Sequence, residues 1–322
     1  MRLYSVVIPV YNRPDEVREL LDSLIYQTYS NFEVLIIEDG SAKRCEAGVA
    51  AFQDKLNVQY YFKENTGQGF SRNYGFERAK GDYFVVFDSD TLIPPDYFQT
   101  LENQLNSTYL DAYGGPDAAR ADFSPLQRAI SYSMTSLFTT GGIRGQKQGV
   151  GTFQPRSYNM GISREVWEKT GGFAKRDMGE DIELSTRMLQ AGFRVGLIPA
   201  AFVYHKRRGT LRDFFRQVFS FGRTRIQLEA INPGTLKLVH AFPAVFTLFL
   251  MSIPVQFFVS KMLFYLSLAL LTFYLLLIFF DAGRKTRSLF VAALSIVTAL
   301  IQLTGYGLGF LREWIVGRLN AL

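Results

Sequence analysis

The C-terminal quarter of the chain contains three long runs without a charged side chain, and no other feature restricts its folding as strongly. Ala241–Val259 and Met262–Phe280 are 19 residues each, separated only by Ser260-Lys261, and Ser288–Leu311 is the third run. At about 1.5 Å per helical residue, 19 residues reach about 28 Å, close to the ~30 Å hydrocarbon core of a bilayer. Consecutive charge-free runs of this length are rare in soluble cores, so this region is expected to form membrane-anchoring helices. Arg284, Lys285 and Arg287 lie between the second and third runs. By the positive-inside rule they face the cytoplasm, which puts the preceding domain on the cytoplasmic side of the inner membrane if the first two runs cross as a hairpin. Pro243 and Pro254 in the first run, and Gly305, Gly307 and Gly309 in the third, leave a re-entrant or interfacial course open for either.

Charge follows the same division. The 35 Lys and Arg exceed the 29 Asp and Glu by six, and from Leu236 onward seven basic residues face two acidic ones. Five of the six net positive charges thus belong to the tail. The basic balance therefore points to a membrane surface and not to nucleic acid, because the first 235 residues carry no Lys/Arg stripe interleaved with aromatics. Cys45 is the only cysteine, which excludes an intrachain disulfide and a thiolate metal site. The apolar run Leu3–Val10 is too short for a secretory signal and is broken by Pro9, so no cleaved signal is expected.

Before the tail, strand and helix patterns alternate. SVVIPV reads as a buried strand, and Pro14, Asp15 and Glu16 open a helix carrying Val17, Leu20, Leu21, Leu24 and Ile25 at helical spacing. FEVLIIED, NVQYYF and DYFVVFD read as further strands, with GFSRNYGFERAKG as a helix closing on Gly81. The alternation predicts an α/β, Rossmann-like domain with a mostly parallel sheet, spanning 1–235, followed by a membrane domain, 236–322. Residues 124–158 read as irregular, and GGIRGQKQGVGTFQP as a mobile loop that orders on substrate. Regularity returns with YNMGIS, EVWEKTGGF, EDIELSTRMLQAGF and RVGLIP. An amphipathic helix is expected near 210–228, with Thr210 as N-cap, Phe214, Phe215, Val218 and Phe219 on one face, and Arg212, Arg216, Arg223 and Arg225 around the other. It either packs on the domain or lies at the bilayer surface.

In a parallel sheet, binding groups gather beyond the carboxyl ends of the strands, which here read PVYN, IEDGS and FDSD. Asp88 and Asp90, two apart in an extended segment, point to one side and suit a hard divalent ion such as Mg²⁺ or Mn²⁺ bridging to phosphate. The alternative is a pair of exposed acids before Pro94-Pro95. Glu38 and Asp39 offer a carboxylate to the N–H of a pyrimidine base, or form an ordinary Asp-Gly-Ser turn. Arg72 and Asn73 follow a Gly-rich helix start suited to a phosphate or base edge, or to a plain surface cap. Glu180 and Asp181 begin a helix after Gly179, either as caps or as a general base for an acceptor hydroxyl. His205 is a third metal ligand or a polar strand-end residue.

In order along the chain, VVIPVYNR, EDGS, ENTGQGFSRNYG, FDSD, NMGISREVWEKTGGF and GEDIELSTRMLQAGF resemble inverting family 2 glycosyltransferases of the GT-A fold. The resemblance runs from about Ser5 to Arg225. It implies a nucleoside-diphosphate sugar, taken as a UDP-sugar, near Pro9, Tyr11, Arg13, Asp39 and Arg72. It also implies Mn²⁺ or Mg²⁺ on Asp88 and Asp90, and Asp181 as the base beside Glu180. QVFSFGRTR falls where processive synthases carry a Gln/Arg-x-x-Arg-Trp motif. Its tryptophan is missing, so Gln217 and Arg223 are expected to touch diphosphate or acceptor without processive synthesis. The acid pair implies a hydroxyl acceptor on a lipid-linked glycan, an exopolysaccharide precursor or a glycolipid. The rival readings are a polyprenyl-phosphate sugar transferase and a non-catalytic sugar-nucleotide-binding membrane scaffold.

Overall fold

The computed structural model describes residues 1–120, 122–140, 153–177, 179–231 and 233–319. In chain order its elements are β1 (Tyr4–Val10), α1 (Pro14–Ile25), β2 (Phe32–Asp39), α2 (Glu46–Ala50), β3 (Val58–Lys63), α3 (Gln68–Phe76), β4 (Tyr83–Phe87), β5 (Thr91–Leu92), α4 (Tyr97–Ser107), β6 (Ala112–Gly114) and β7 (Asp117–Ala118). There follow α5 (Pro125–Thr135), α6 (Leu137–Thr140), β8 (Asn159–Ser163), α7 (Arg164–Thr170), α8 (Glu180–Gln190), β9 (Val195–Leu197), β10 (Val203–His205), α9 (Leu211–Ile231), α10 (Phe242–Val259), α11 (Lys261–Thr286) and α12 (Leu289–Leu319). They form two compact units, Met1–Ala118 with Gly149–Lys206, and Ala119–Gln148 with Arg207–Leu322. Residues 119–148 and 207–235 thus group with the apolar helices.

The first unit is built on a seven-stranded sheet of order β3-β2-β1-β4-β8-β6-β9. β1 to β4 run parallel, β8 opposes both β4 and β6, and β9 runs with β6. Its central strands are continuous apolar runs because both faces are covered. Val6, Ile8, Val34, Ile36, Tyr83 and Val85 pack with Leu20 and Leu24 of α1 and Phe98 and Leu101 of α4. The alternate residues Val7, Leu35, Ile37, Phe84 and Val86 pack with Phe76 of α3, Val166 of α7 and Leu184 of α8. Each side chain so enclosed contributes about 1.5–3 kcal/mol. The third helix stops at Phe76, short of Gly81, because the next turn is taken up by the sheet. The buried Glu33 carboxylate accepts from Lys80 N (2.6 Å) and Ser5 Oγ (2.7 Å), and Ser5 Oγ accepts in turn from Gly81 N (2.8 Å).

The second unit holds three helices long and apolar enough to cross a membrane: Leu238–Val259, Lys261–Thr286 and Leu289–Gly317, with mean hydropathies of 1.9, 2.4 and 1.9. Pro254 sits inside an unbroken α10, and α12 runs unbroken through its glycines. Those glycines permit close approach instead of a break. A Cβ on Gly309 would lie 2.0 Å from Phe219 O of α9, and one on Gly307 would lie 2.4 Å from Pro243 O of α10. The expected amphipathic helix is α9. Thr210 Oγ1 accepts from Asp213 N (3.1 Å) at its start, and Phe214 and Val218 bury against Ile130 and Met134 of α5 and Ile301 of α12.

The stretch from 124 is helical where the sequence reads as irregular. A reciprocal cap starts it: Ser124 Oγ accepts from Gln127 N (3.3 Å), and Gln127 Oε1 accepts from Ser124 N (3.1 Å). Most of the expected mobile loop, 141–152, lies outside the described residues.

Candidate active site

The DSD turn follows β4 directly. Thr91 closes it, its N and Oγ1 both donating to Asp88 O (3.1 and 2.8 Å). His205 arrives from 115 residues away through a small second sheet of order β5-β10-β7, in which His205 pairs with Thr91. Its Nε2 lies 3.0 Å from Asp90 Oδ1, its Nδ1 lies 3.8 Å from Asp117 Oδ2, and its ring packs on Tyr158. Arg13 Nη1 donates to Asp90 Oδ2 at 2.6 Å. Burial alone would raise the Asp90 carboxyl, but the His205 ring and the Arg13 guanidinium outweigh it and hold the group well below the usual carboxylate range.

Asp88, Asp90 and His205 each present one ligand atom, all within 4.8 Å of one another. Two carboxylates and an imidazole form a donor set suited to a divalent cation of the Mn²⁺ or Mg²⁺ kind, so the residues present fit such an ion. Asn12 positions Arg13 at the same edge. In the left-handed region at φ 55°, Asn12 donates from its N to Ser41 Oγ (2.8 Å) and accepts through Oδ1 from Ala42 N and Lys43 N. This ties the end of β1 to the turn after β2.

Arg72 joins the Asp88–Asp90–His205 cluster to the start of α8. Its guanidinium is wholly enclosed, donating through Nη2 to Asp88 Oδ1 and through Nη1 to Glu180 Oε1, both at 2.8 Å. Glu180 Oε1 also accepts from Gln68 Nε2 (2.9 Å) and Ser157 Oγ (3.1 Å). Burial and the neighbouring Asp181 push the Glu180 carboxyl up to about 7 against the pull of Arg72. Asp181 is more open. Its Oδ1 accepts from Ile182 N (2.8 Å) and its Oδ2 lies 3.7 Å from Arg156 Nη1. The two acids that look equivalent in sequence are therefore placed differently, Glu180 inside a buried network and Asp181 at its edge.

Glu38 and Asn73 make contacts within the protein. Glu38 is fully enclosed on the α1 face of the sheet, its Oε2 accepting from Cys45 N and Tyr60 OH at 2.8 Å, which secures α2 and β3. Asn73 spends both ends of its amide on Phe173, donating to its O and accepting from its N at 2.8 Å, which pins α3 to the segment after α7. Asn73 also borders a hollow of about 440 Å³ with Lys63, Glu64, Phe70, Tyr74 and Glu77, none of them in the metal cluster.

Asp39 organises the Gly-rich turn. It pairs with Lys63 and accepts from Thr66 N (2.9 Å) and Gly67 N (2.8 Å). Burial opposes its ionisation, but Lys63 and the Thr66 N–H keep its carboxyl below the usual range. Tyr11 is exposed and Pro9 half-buried at the end of β1. Gln217 and Arg223 belong to the second unit, where Arg223 Nε donates to Glu313 Oε2 (2.8 Å). Residues the sequence reading passed over are Lys63, Asp117, Arg156 and Ser157. Lys63 sits at the carboxyl end of β3, the signal that singled out FDSD, whereas nothing local marks Asp117, Arg156 or Ser157.

The family model described as "Glycosyl transferase family 2" matches residues 5–171, just over half of the chain. The chain belongs to this family. An uncharacterised glycosyltransferase of Rickettsia typhi is 39% identical over 104 residues, 32% of this chain and 31% of that protein. Glycosyltransferase GlyA of Streptococcus pneumoniae is 35% identical over 102 residues, 31% of this chain and 15% of that protein. These matches span less than a third of the relatives' own length. Among solved structures, the mannosyltransferase PcManGT of Pyrobaculum calidifontis, in complex with GDP-Man and Mn²⁺, aligns with a TM-score of 0.63 at 19% identity, over 94% of this chain and 87% of that one. S. aureus TarS 1–349 aligns at 0.50 and 17% identity, over 98% and 91%. At such identities the likeness shows the fold, a GT-A-type α/β domain followed by apolar helices.

Proposed function

We propose that this family 2 glycosyltransferase moves a sugar, with inversion, from a nucleoside-diphosphate sugar, taken as a UDP-sugar, to a hydroxyl of a lipid-linked glycan, an exopolysaccharide precursor or a glycolipid. The catalytic unit faces the cytoplasm at the inner membrane. One observation carries the reading: Arg72 joins the cation-binding acids at Asp88 to the acid pair at the start of α8, so donor and acceptor chemistry share one edge of the sheet.

Asp88, Asp90 and His205 would hold a divalent ion, Mn²⁺ or Mg²⁺, which would supply positive charge for the departing diphosphate. Arg13, paired with Asp90 at 2.6 Å, would add a second cation at the same edge for the diphosphate. Asp39 shapes the Gly-rich turn against the nucleotide. Asp181 accepts the proton of the acceptor hydroxyl as that oxygen bonds to the anomeric carbon and the carbon–oxygen bond to diphosphate breaks. Glu180 orients Arg72, and Tyr11 and Pro9 flank the nucleotide at the end of β1.

The second reading, a polyprenyl-phosphate acceptor, draws on Arg156, a cation 3.7 Å from Asp181. A phosphate acceptor needs a cation there and no base. Release of nucleoside diphosphate from a panel of UDP- and GDP-sugars, with and without Mn²⁺, tests the donor side. The expected result is metal-dependent release that Asp181→Asn abolishes with hydroxyl acceptors while donor binding is retained. Turnover of Asp181→Asn on polyprenyl phosphate alone favours the second reading. No release across the panel returns the chain to a binding scaffold.

A further inference from the structure

The helix α5 packs against α12, and with α6 it meets α11 from that helix's charged end into its apolar part. Three contacts set their course. Arg128 Nη2 donates to Thr286 O (2.7 Å) at the charged end of α11, next to Lys285 and Arg284. One turn on, Tyr132 OH donates to Asp281 Oδ2 (2.7 Å). At the far end, Tyr274 OH donates to Phe138 O (2.8 Å). Tyr274 lies six residues beyond Phe280, the last residue of the charge-free run, which is ~9 Å into that run at 1.5 Å per residue.

The polar groups of the segment behave as they must where water is absent. Ser133 Oγ pairs with Thr298 Oγ1 (2.6 Å), and Thr298 Oγ1 donates to Ala129 O (3.1 Å), joining α5 to α12 through buried hydroxyls. Thr135 Oγ1 donates to Ser131 O, Thr140 Oγ1 to Ser136 O, and Thr139 Oγ1 to Ser133 O. Hydroxyls returned to backbone carbonyls in this way satisfy themselves without solvent. At the tip, Leu137 is 54% exposed and Phe138 36%, and Phe273 and Leu270, next to and one turn from Tyr274 on α11, are exposed apolar side chains as well.

We infer that residues 125–140 form a membrane-inserted element that enters the leaflet beside the Arg284-Lys285-Arg287 belt without crossing it, with Leu137 and Phe138 in contact with lipid acyl chains. The inference rests on α11 spanning the bilayer. A chain with three spanning helices thereby gains a fourth point of membrane contact, contributed by a segment inserted between the strands of the catalytic unit.

Full-length protein in phosphatidylglycerol/phosphatidylcholine vesicles tests it by spin labelling of Leu137→Cys and Phe138→Cys. Met262→Cys on the exposed face of α11 and Glu77→Cys on the catalytic unit serve as references, and the buried native Cys45 gives the background. Oxygen concentrates in hydrocarbon while a nickel chelate is excluded, so the oxygen-to-nickel collision ratio at 137 and 138 is expected to match Met262 and exceed Glu77 by roughly tenfold. A ratio at both sites equal to that of Glu77, with Met262 still lipid-like, overturns the insertion and leaves the anchor standing. Exclusion of both reagents at 137 and 138 means that protein covers the tip, and also overturns it. A water-like Met262 refutes the spanning of α11 and the insertion together.

Discussion

Replacing Arg72 by methionine removes the cation that joins Asp88 to Glu180 while keeping most of the side chain's bulk. Arg72 is fully enclosed and Glu180 is 2% exposed, so the substitution leaves a buried carboxylate without its countercharge. Breaking a buried pair in this way costs about 3–5 kcal/mol. The cost depends on pH, and its sign follows from Glu180. Its carboxyl titrates near 7 in the fold against an ordinary 4.5, so the folded state holds the proton more tightly. Between those values stability falls as pH rises, by ~3 kcal/mol in all, and is flat above 7. At pH 5.5 the carboxyl is largely protonated and needs no cation; at pH 8.5 it is ionised and needs Arg72. Melting of detergent-solubilised full-length protein at the two pH values, for R72M, E180Q and the double variant, reads this directly. R72M is expected to lower Tm by about 6–15 °C at pH 8.5 and by roughly half that at pH 5.5. E180Q is expected to flatten the wild-type pH slope and to recover most of the R72M loss, since a neutral amide needs no countercharge. A loss below about 2 °C at pH 8.5, an equal loss at both values, or no recovery in the double variant would show that Glu180 is not the charge Arg72 compensates.

Asp88→Ala and Asp90→Ala are expected to weaken nucleotide-sugar binding at least about tenfold with Mn²⁺ and to leave binding in EDTA nearly unchanged; calorimetry in both conditions checks this, and equal losses would mean misfolding. His205→Ala should raise the Mn²⁺ concentration for half-maximal activity several-fold while leaving the metal-free melting temperature within a few degrees. Gly222→Leu forces a side chain toward Tyr306 O, 2.1 Å from where its Cβ would sit, and is expected to lower Tm by several degrees and reduce membrane yield. Alkali extraction should leave the protein in the membrane pellet, and its appearance in the supernatant would contradict spanning helices.

What could be read along the chain was local in origin. The strands of the central sheet announced themselves because each is apolar on both faces, and the carboxyl ends PVYN, IEDGS and FDSD marked the edge where Arg13, Asp39 and Asp90 now stand. α8 was legible from Gly179 and the acids that follow it. What escaped depended on contacts distant in sequence. Arg156 reaches Asp181 only because the chain returns along β8, and nothing local distinguishes it from a surface arginine. Glu38 and Asp39 are adjacent, yet the period of two in β2 turns one to Cys45 and Tyr60 and the other to the Gly-rich turn, so two similar acids in one motif acquire unrelated tasks. In α8 the helical step of about 100° per residue separates Glu180 from Asp181 instead. α5 was missed for another reason: its apolar face is cut by hydroxyls, which read as loop composition until Thr298 and the backbone carbonyls are seen to satisfy them. A hydroxyl-rich segment thus reads as a solvent loop only on the assumption that water is its solvent. Against α12, partners within the protein take the place of water, and the same composition forms a helix.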